Sequence, residues 1–250
     1  MMHNSHKRLP ACAVFVLACA GAVVPFARAA DTDAASRYQA AIASPARTDA
    51  DRAADGKRKP AEFLAFAQVR PGMKVLDLVA AGGATSELLA LAVAPGGEVW
   101  AHNPKASDSL GQRLAQHPQA NLHPFVASFD DPVPKDAGPF DLITLVMNYH
   151  DIVNAGTDRE AMNRRLFAAL KPGGRFVVID NAAREGSGLG ATKTLHRIDR
   201  AAVIAEVIKA GFVLDGSSDY LHVADDPRDQ PFFKMDGRPD DKFALRFVKK

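Results

Sequence analysis

The sequence predicts an α/β protein built on a single open, mostly parallel twisted sheet of about seven strands, with helices on both faces. Three observations predict it. From residue 60 onward, short apolar runs alternate with longer amphipathic stretches. Turns rich in Gly and Pro punctuate most of the junctions. One segment, Phe140–Met147 (FDLITLVM), is a near-continuous apolar run, as expected of a strand buried on both faces. At 250 residues, with 47% hydrophobic and 24% charged side chains, the chain is long and apolar enough to bury a sizeable core.

The elements follow in order. Pro60 suits the first turn of a helix over Ala61–Val69, in which Phe63, Leu64 and Ala67 share a face. Pro71-Gly72 then turns the chain into a first strand, Lys74–Leu78 (KVLDL). A helix over Thr85–Val93, the turn Pro95-Gly96-Gly97 and a second strand at Glu98–His102 come next. A helix over Ser107–Gln116 leads to a third strand at Leu122–Val126. After the fourth strand, a helix over Arg159–Leu170 is stopped by Lys171-Pro172-Gly173-Gly174, and Arg175–Asp180 (RFVVID) is the fifth strand. Ala182–Thr194, with Gly186, Gly188 and Gly190, reads as a mobile loop. Asp199 caps a helix through Ala210, with Gly211 at its C′ position. Phe212–Ser217 and Phe243–Lys249 complete the sheet, separated by a long polar loop, Asp225–Asp241, that carries Pro227, Pro231 and Pro239. Residues 30–59, rich in Ala, Asp and Arg, read as a flexible leader draped over one domain spanning residues 60–250.

The first 29 residues have the pattern of a signal peptide. Lys7 and Arg8 precede an uncharged run, Ala11–Phe26, shorter than the ~20 residues of a stable membrane span. Ala27-Arg28-Ala29 then offers small side chains for cleavage after Ala29. A periplasmic or secreted protein with no stable membrane span is expected; retention as an anchor, or lipidation at Cys19, are the alternatives. Cys12 and Cys19, the only cysteines, fall in the segment to be removed, so disulfides, thiolate zinc sites and a cysteine nucleophile are excluded from the mature chain. That segment holds three basic side chains and no acid, leaving 28 basic against 29 acidic ones. A near-neutral body argues against a nucleic-acid partner.

In open α/β sheets ligands bind beyond the carboxyl ends of the strands, where strand order reverses. There the first strand ends in Asp77, followed by Val79, Ala81, Gly82 and Gly83 and a helix start. With Phe140-Asp141-Leu142 opening the fourth strand and Leu170-Lys171-Pro172-Gly173-Gly174 before the fifth, this resembles class I S-adenosylmethionine-dependent methyltransferases. Asn148-Tyr149-His150-Asp151, with Thr194-Leu195-His196-Arg197-Ile198-Asp199, is similar to a bacterial group of predicted methyltransferases of unassigned substrate. The resemblance spans Pro60 to the C-terminus. It implies a Rossmann-like methyltransferase fold, S-adenosyl-L-methionine as cofactor and a small-molecule acceptor. It implies cofactor contacts from Asp77, Val79, Ala81, Gly82, Gly83, Asn103, Asp130 and Met147, and catalytic roles for Asn148, Tyr149, His150 and His196.

Two departures from the family pattern carry expectations of their own. The loop's first two glycines are replaced by Val79 and Ala81. A β-branched residue is an outlier at positive φ, so Gly82 and Gly83 are expected to carry the unusual dihedrals in a shifted loop. The ribose-binding acid of the second strand is replaced by Asn103, which contributes no charge. A non-catalytic periplasmic ligand-binding protein that kept the fold is therefore the second reading. For His150 and His196 the competing role is a capping or loop histidine, and for Asp130 an ordinary polar turn. A dinucleotide oxidoreductase is excluded, since Gly-x-Gly-x-x-Gly is absent after the strand. Gly186-Ser187-Gly188 lacks the strand–turn–helix setting of a nucleophile elbow. No HExxH or comparable spacing predicts a metal site.

Overall fold

A computed structural model describes residues 1–3 and 26–250, and side chains from residue 33 onward in the latter range. The basic n-region, most of the apolar run, Cys12 and Cys19 lie outside the described residues. The sheet has seven strands: β1 (Lys74–Leu78), β2 (Glu98–Asn103), β3 (Leu122–Val126), β4 (Phe140–Val146), β5 (Leu170–Asn181), β6 (Val213–Ser218) and β7 (Lys242–Val248). Their order is β3-β2-β1-β4-β5-β7-β6, parallel except for β7, which runs antiparallel to both its neighbours. Strand order reverses between β1 and β4, and a crevice opens there.

The period-two alternation divides the core. Val75, Leu142, Val177 and Ala244 point to one face, against α1 (Phe26–Ile42), α3 (Pro60–Phe66) and α4 (Ala84–Val93). Leu76, Ile143, Val178 and Leu245 point to the other. That face is covered by α6 (Tyr149–Asn154), α7 (Arg159–Ala169) and α9 (Arg200–Lys209); α5 (Asp108–Gln116) follows β2 and α8 (Thr192–Leu195) follows β5. Both faces are apolar because helices cover both. The fifth strand begins at Leu170, earlier than expected, because Leu170 pairs with Phe140 before the register shifts; Gly173, at φ 76°, makes the irregularity possible.

Three segments expected to be loose are tied down. Residues 30–59 form most of α1 and all of α2 (Asp49–Arg58), the latter started by a reciprocal capping box between Thr48 and Asp51. Tyr38 and Ala41 of α1 are core residues, and the Tyr38 hydroxyl donates to Val69 O at 2.8 Å. This segment covers apolar faces of α3 and α4 that water would otherwise meet. In the glycine-rich segment after β5, Ala183 N donates to Ile198 O and Gly188 N to the Asp199 carboxylate. The long polar loop is anchored by Arg197, which is fully buried and pairs with Asp226 at 2.8 Å; Arg197 also donates to Gln230 O and Ala182 O. Burial works against the Asp226 charge, but amides of Asp241 and Arg228 and the guanidinium hold its pKa below the ordinary value.

Replacing Tyr38 by Ala tests whether the N-terminal helices belong to the cooperative unit. Loss of a buried aromatic ring predicts destabilisation of about 3 kcal/mol in urea unfolding; a change below about 0.5 kcal/mol would mean that the segment is peripheral.

Candidate active site

A cavity of about 560 Å³ occupies the crevice at the carboxyl ends of β1 and β4. Backbone and side chains of Val79–Gly82 form one wall and Met147-Asn148 another, with Tyr220, Phe232 and Asp240 from the C-terminal segments. The wall from α2, including Asp51, Asp55 and Arg58, comes from the segment read as a leader. Sequence offered no local sign of this, because the contact joins α2 to elements far along the chain.

The β1–α4 loop differs from expectation. Val79 and Ala81 themselves take positive φ, 55° and 49°, as does Gly83 at 84°, whereas Gly82 does not. Met147, on the opposite wall, lies at φ 64°. Left-handed backbone at non-glycine residues costs of order 1–3 kcal/mol each and persists where surroundings enforce it. Here the exit of β2 enforces it. Asn103 grips Ala81 through both amide atoms, accepting from its N–H at 2.9 Å and donating to its carbonyl at 3.2 Å. Ala80 N donates to His102 O at 2.8 Å. His102 Nδ1 lies 3.4 Å from Val79 N, and its Nε2 lies 2.9 Å from Ala127 O. Burial lowers the His102 pKa, in keeping with a neutral ring serving as both donor and acceptor. Asn103 is thus a loop clamp whose polar atoms are engaged, not a free ribose acceptor. The sequence marks His102 only as the last residue of the expected second strand, and that place beside the loop was its signal.

Arg113 of α5 ties the same loop to α2. Its Nε donates to Gly82 O at 2.8 Å, and its terminal nitrogens reach Asp51 at 2.6 and 2.9 Å and Glu87 at 2.6 Å. Burial opposes the Asp51 charge, but Arg113 and Thr48 hold its pKa down at about 2. Glu87 is fully buried, and burial raises its pKa against the same guanidinium. Gly83 fits beneath α5 because a Cβ there would lie 2.5 Å from Leu110 Cδ1.

The expected site residues separate into two groups. Val79, Ala81, Gly82, Met147 and Asn148 line the cavity; Asp77, Gly83, Asn103, Asp130, Tyr149, His150 and His196 do not. Asp77 is buried beneath the loop, where its carboxylate accepts from Ser86 Oγ at 2.6 Å and Thr144 Oγ1 at 2.7 Å rather than from loop amides. Burial raises its pKa to about 6, opposed by these two hydroxyls. Asp130 is exposed beyond β3. Tyr149 points into the second core, where its hydroxyl donates to Glu206 at 2.8 Å and accepts from Asn163 at 3.0 Å. Burial pushes its pKa up, which leaves it a poor acid or base at neutral pH.

His150 and His196 meet beside the cavity, with ring centroids 5.5 Å apart. Asp180 at the end of β5 accepts from His150 Nδ1 at 2.7 Å and from its backbone N–H at 3.0 Å. Burial opposes the His150 charge, but Asp180 and Asp151 outweigh it and raise the pKa. Asp180 ends an apolar strand in the way Asp77 does, and that shared position was its sequence signal. No ligand spacing foretold a cluster, yet the fold brings donor atoms of His150, Asp151 and His196 within 4.8 Å of one another.

Three buried polar atoms on cavity-lining residues, the donor Arg47 Nε together with Tyr220 Oη and Asp240 Oδ2, have no hydrogen-bond partner. Lys242 Nζ engages the other Asp240 oxygen at 2.5 Å. Such groups are costly unless a ligand or water satisfies them. An ammonium, ribose hydroxyls and an exocyclic amine are donors of the required kind, so the residues present fit S-adenosylmethionine.

Two outcomes follow. A raised carboxyl pKa means that the folded state binds the proton more tightly, so Asp77 erodes stability as pH rises from about 4 to about 6. Asp77→Asn should remove that slope, shifting the stability difference from the parent by up to about 3 kcal/mol in its favour between pH 4 and 7 in urea titrations. Ala81→Gly should stabilise by about 0.5–1 kcal/mol, contrary to the cost a glycine carries at ordinary φ; destabilisation would show that the left-handed geometry is not strained.

Comparison with known proteins agrees with this architecture. No protein-family model matches the chain. It is 29% identical over 117 residues to the ubiquinone/menaquinone biosynthesis C-methyltransferase UbiE of Burkholderia cenocepacia strain HI2424, a match covering 47% of this chain and 46% of the relative. The chain thus matches about half the length of such curated relatives. Among solved structures, a methyltransferase dependent on S-adenosylmethionine from Aquifex aeolicus superposes with a TM-score of 0.60 at 14% identity, over 86% of this chain and 98% of that one. Aeropyrum pernix fibrillarin, solved with natively bound S-adenosylmethionine, gives 0.52 at 16% identity over 74% of each chain. The strand order, the switch-point crevice and these superpositions together identify the chain as a protein of the class I S-adenosylmethionine-dependent methyltransferase fold.

Proposed function

We propose that the protein binds S-adenosyl-L-methionine in the switch-point cavity and transfers its methyl group to a small acceptor. One observation carries the reading: a cavity of about 560 Å³ is walled by Val79–Gly82 and Met147-Asn148 at adjacent strand ends, with unpartnered polar atoms on Tyr220 and Asp240. The partial likeness to UbiE-type methyltransferases supports it. When bound, the cofactor supplies a methyl already activated on a sulfonium. The chain's task is alignment and exclusion of water. Asp240 and Tyr220 accept from or donate to the polar ends, and the Val79–Gly82 backbone sets the groove. The Asn148 side chain donates to Val146 O at 2.7 Å, which leaves its oxygen to orient the reacting groups. Phe63, Leu88, Leu221 and Phe232 give the cavity an apolar lining suited to an acceptor with an apolar body.

Isothermal titration with S-adenosylmethionine and S-adenosylhomocysteine tests the reading. Saturable binding is expected, and Asp240→Asn should weaken it about tenfold or more, the loss of one charge-assisted hydrogen bond. No binding at millimolar ligand would overturn it in favour of a ligand-binding protein that kept the fold.

We also propose export with cleavage after Ala29. The support is the pattern Lys7-Arg8, the uncharged run and Ala27-Arg28-Ala29. Such cleavage leaves Ala30–Ile42 of α1, with Tyr38 and Ala41, on the domain. No described helix is long and apolar enough to cross a membrane. N-terminal sequencing of periplasmic protein should read from Ala30; soluble cytoplasmic protein that retains Met1 would overturn export.

A further inference from the structure

We propose that His150, Asp151 and His196 form a binding site for a divalent transition-metal ion, with zinc as the reference ion. His150 Nε2 lies 3.4 Å and His196 Nδ1 lies 3.6 Å from the same oxygen, Asp151 Oδ1. Both separations exceed ordinary N–H···O hydrogen bonds. They match the spacing of ligands around a common centre: atoms about 2.1 Å from a tetrahedral ion lie about 3.4 Å apart. Two imidazole nitrogens and one carboxylate suit zinc and its neighbours better than magnesium or calcium, which favour oxygen shells.

The surroundings orient these groups as an outer shell would. Asp180 is fully buried and also accepts from the backbone N–H groups of His150 and Asn181, so it receives the proton of His150 Nδ1. With Nδ1 turned to Asp180, Nε2 is the atom that His150 presents toward the Asp151 carboxylate, the orientation an outer-shell carboxylate gives a metal-binding imidazole. The next residue of β5 positions the second imidazole. Asn181 Nδ2 donates to His196 O at 3.1 Å, and His196 takes left-handed dihedrals at φ 51° and ψ 45°. Phe233 packs edge-on against His196 with centroids 5.4 Å apart, giving the site an apolar flank. Three protein ligands leave a coordination position for water or for an oxygen donor, as in zinc sites that act on a bound molecule.

The site does not depend on the methyl-donor reading, because metal uptake needs neither donor nor acceptor. The test uses the full chain without an affinity tag, stripped with chelator and titrated with zinc by calorimetry. Cobalt(II), read by its visible absorption, reports the coordination. One zinc per chain is expected. His196→Ala and Asp151→Asn, both at partly exposed side chains, should each weaken binding at least tenfold while leaving the metal-free thermal midpoint unchanged. Asp180→Asn should weaken it about 10–100-fold. His123→Ala removes a half-buried imidazole 3.6 Å from Glu98, remote from this cluster in the fold, and should leave zinc binding unchanged. Absence of stoichiometric uptake, or uptake indifferent to both His196→Ala and Asp151→Asn, would overturn the proposal.

Discussion

The grip of the β2 exit on the β1–α4 loop is the constraint on which the cavity depends. Asn103 spends both amide atoms on Ala81, and the His102 carbonyl and ring engage Ala80 and Val79. These contacts hold Val79 and Ala81 at positive φ, which their side chains disfavour. The parallel pairing of β1 with β2, Asp77 opposite Ala101, brings the clamp to the loop. Below it, Asp77 joins Ser86 of α4 to Thr144 of β4, so that the loop's two ends and the neighbouring strand are held together. Val79, Ala81 and Met147, all left-handed, lie at the ligand crevice, where a preorganised backbone is most useful.

A second pair of strand ends does comparable work for the histidines. Asp180 and Asn181 are adjacent on β5, and pleat alternation sends their side chains in different directions. One reaches the start of α6 and His150; the other reaches the carbonyl of His196 after α8. The cavity and the histidine cluster are therefore separate constructions on neighbouring strands, with Asn148 on the cavity side of α6 and His150 on the cluster side. Phe232 and Phe233 link them: one lines the cavity and the other packs on His196.

Closure of both sites comes from parts distant in sequence. Arg113 reaches from α5 to Asp51 of α2 across the Gly82 carbonyl. The buried Arg197–Asp226 pair fixes the loop that supplies Phe232, Phe233 and Asp240. A buried pair of this kind adds less to stability than its geometry suggests, since both charges surrender their hydration. Its contribution here is positional: the guanidinium also satisfies two backbone carbonyls of segments that form no strand pair with each other.

Much of the fold was legible in the sequence. Period-two apolar runs, Pro and Gly turns and an N-cap at Asp199 are local signals, and the strands at 74–78 and 122–126 follow from them, as do the largely parallel sheet and all but the last residue of the strand expected at 140–147. The region of the cavity was legible for the same reason, since a strand that ends in an acid and small residues marks a switch-point crevice. Side-chain partnership was not. Whether Asn103 meets a ribose or Ala81, whether Tyr149 faces the crevice or Glu206, and whether residues 30–59 lie loose or wall a cavity depend on groups tens of residues away. Local propensity also failed at Val79, where it forbids a left-handed backbone that tertiary hydrogen bonds enforce. Sequence alone determined the layers and the approximate place of each strand, because burial periodicity is a property of consecutive residues. Only the tertiary structure decided which polar groups meet beyond the strand ends, because their partners are set by strand order and not by spacing along the chain.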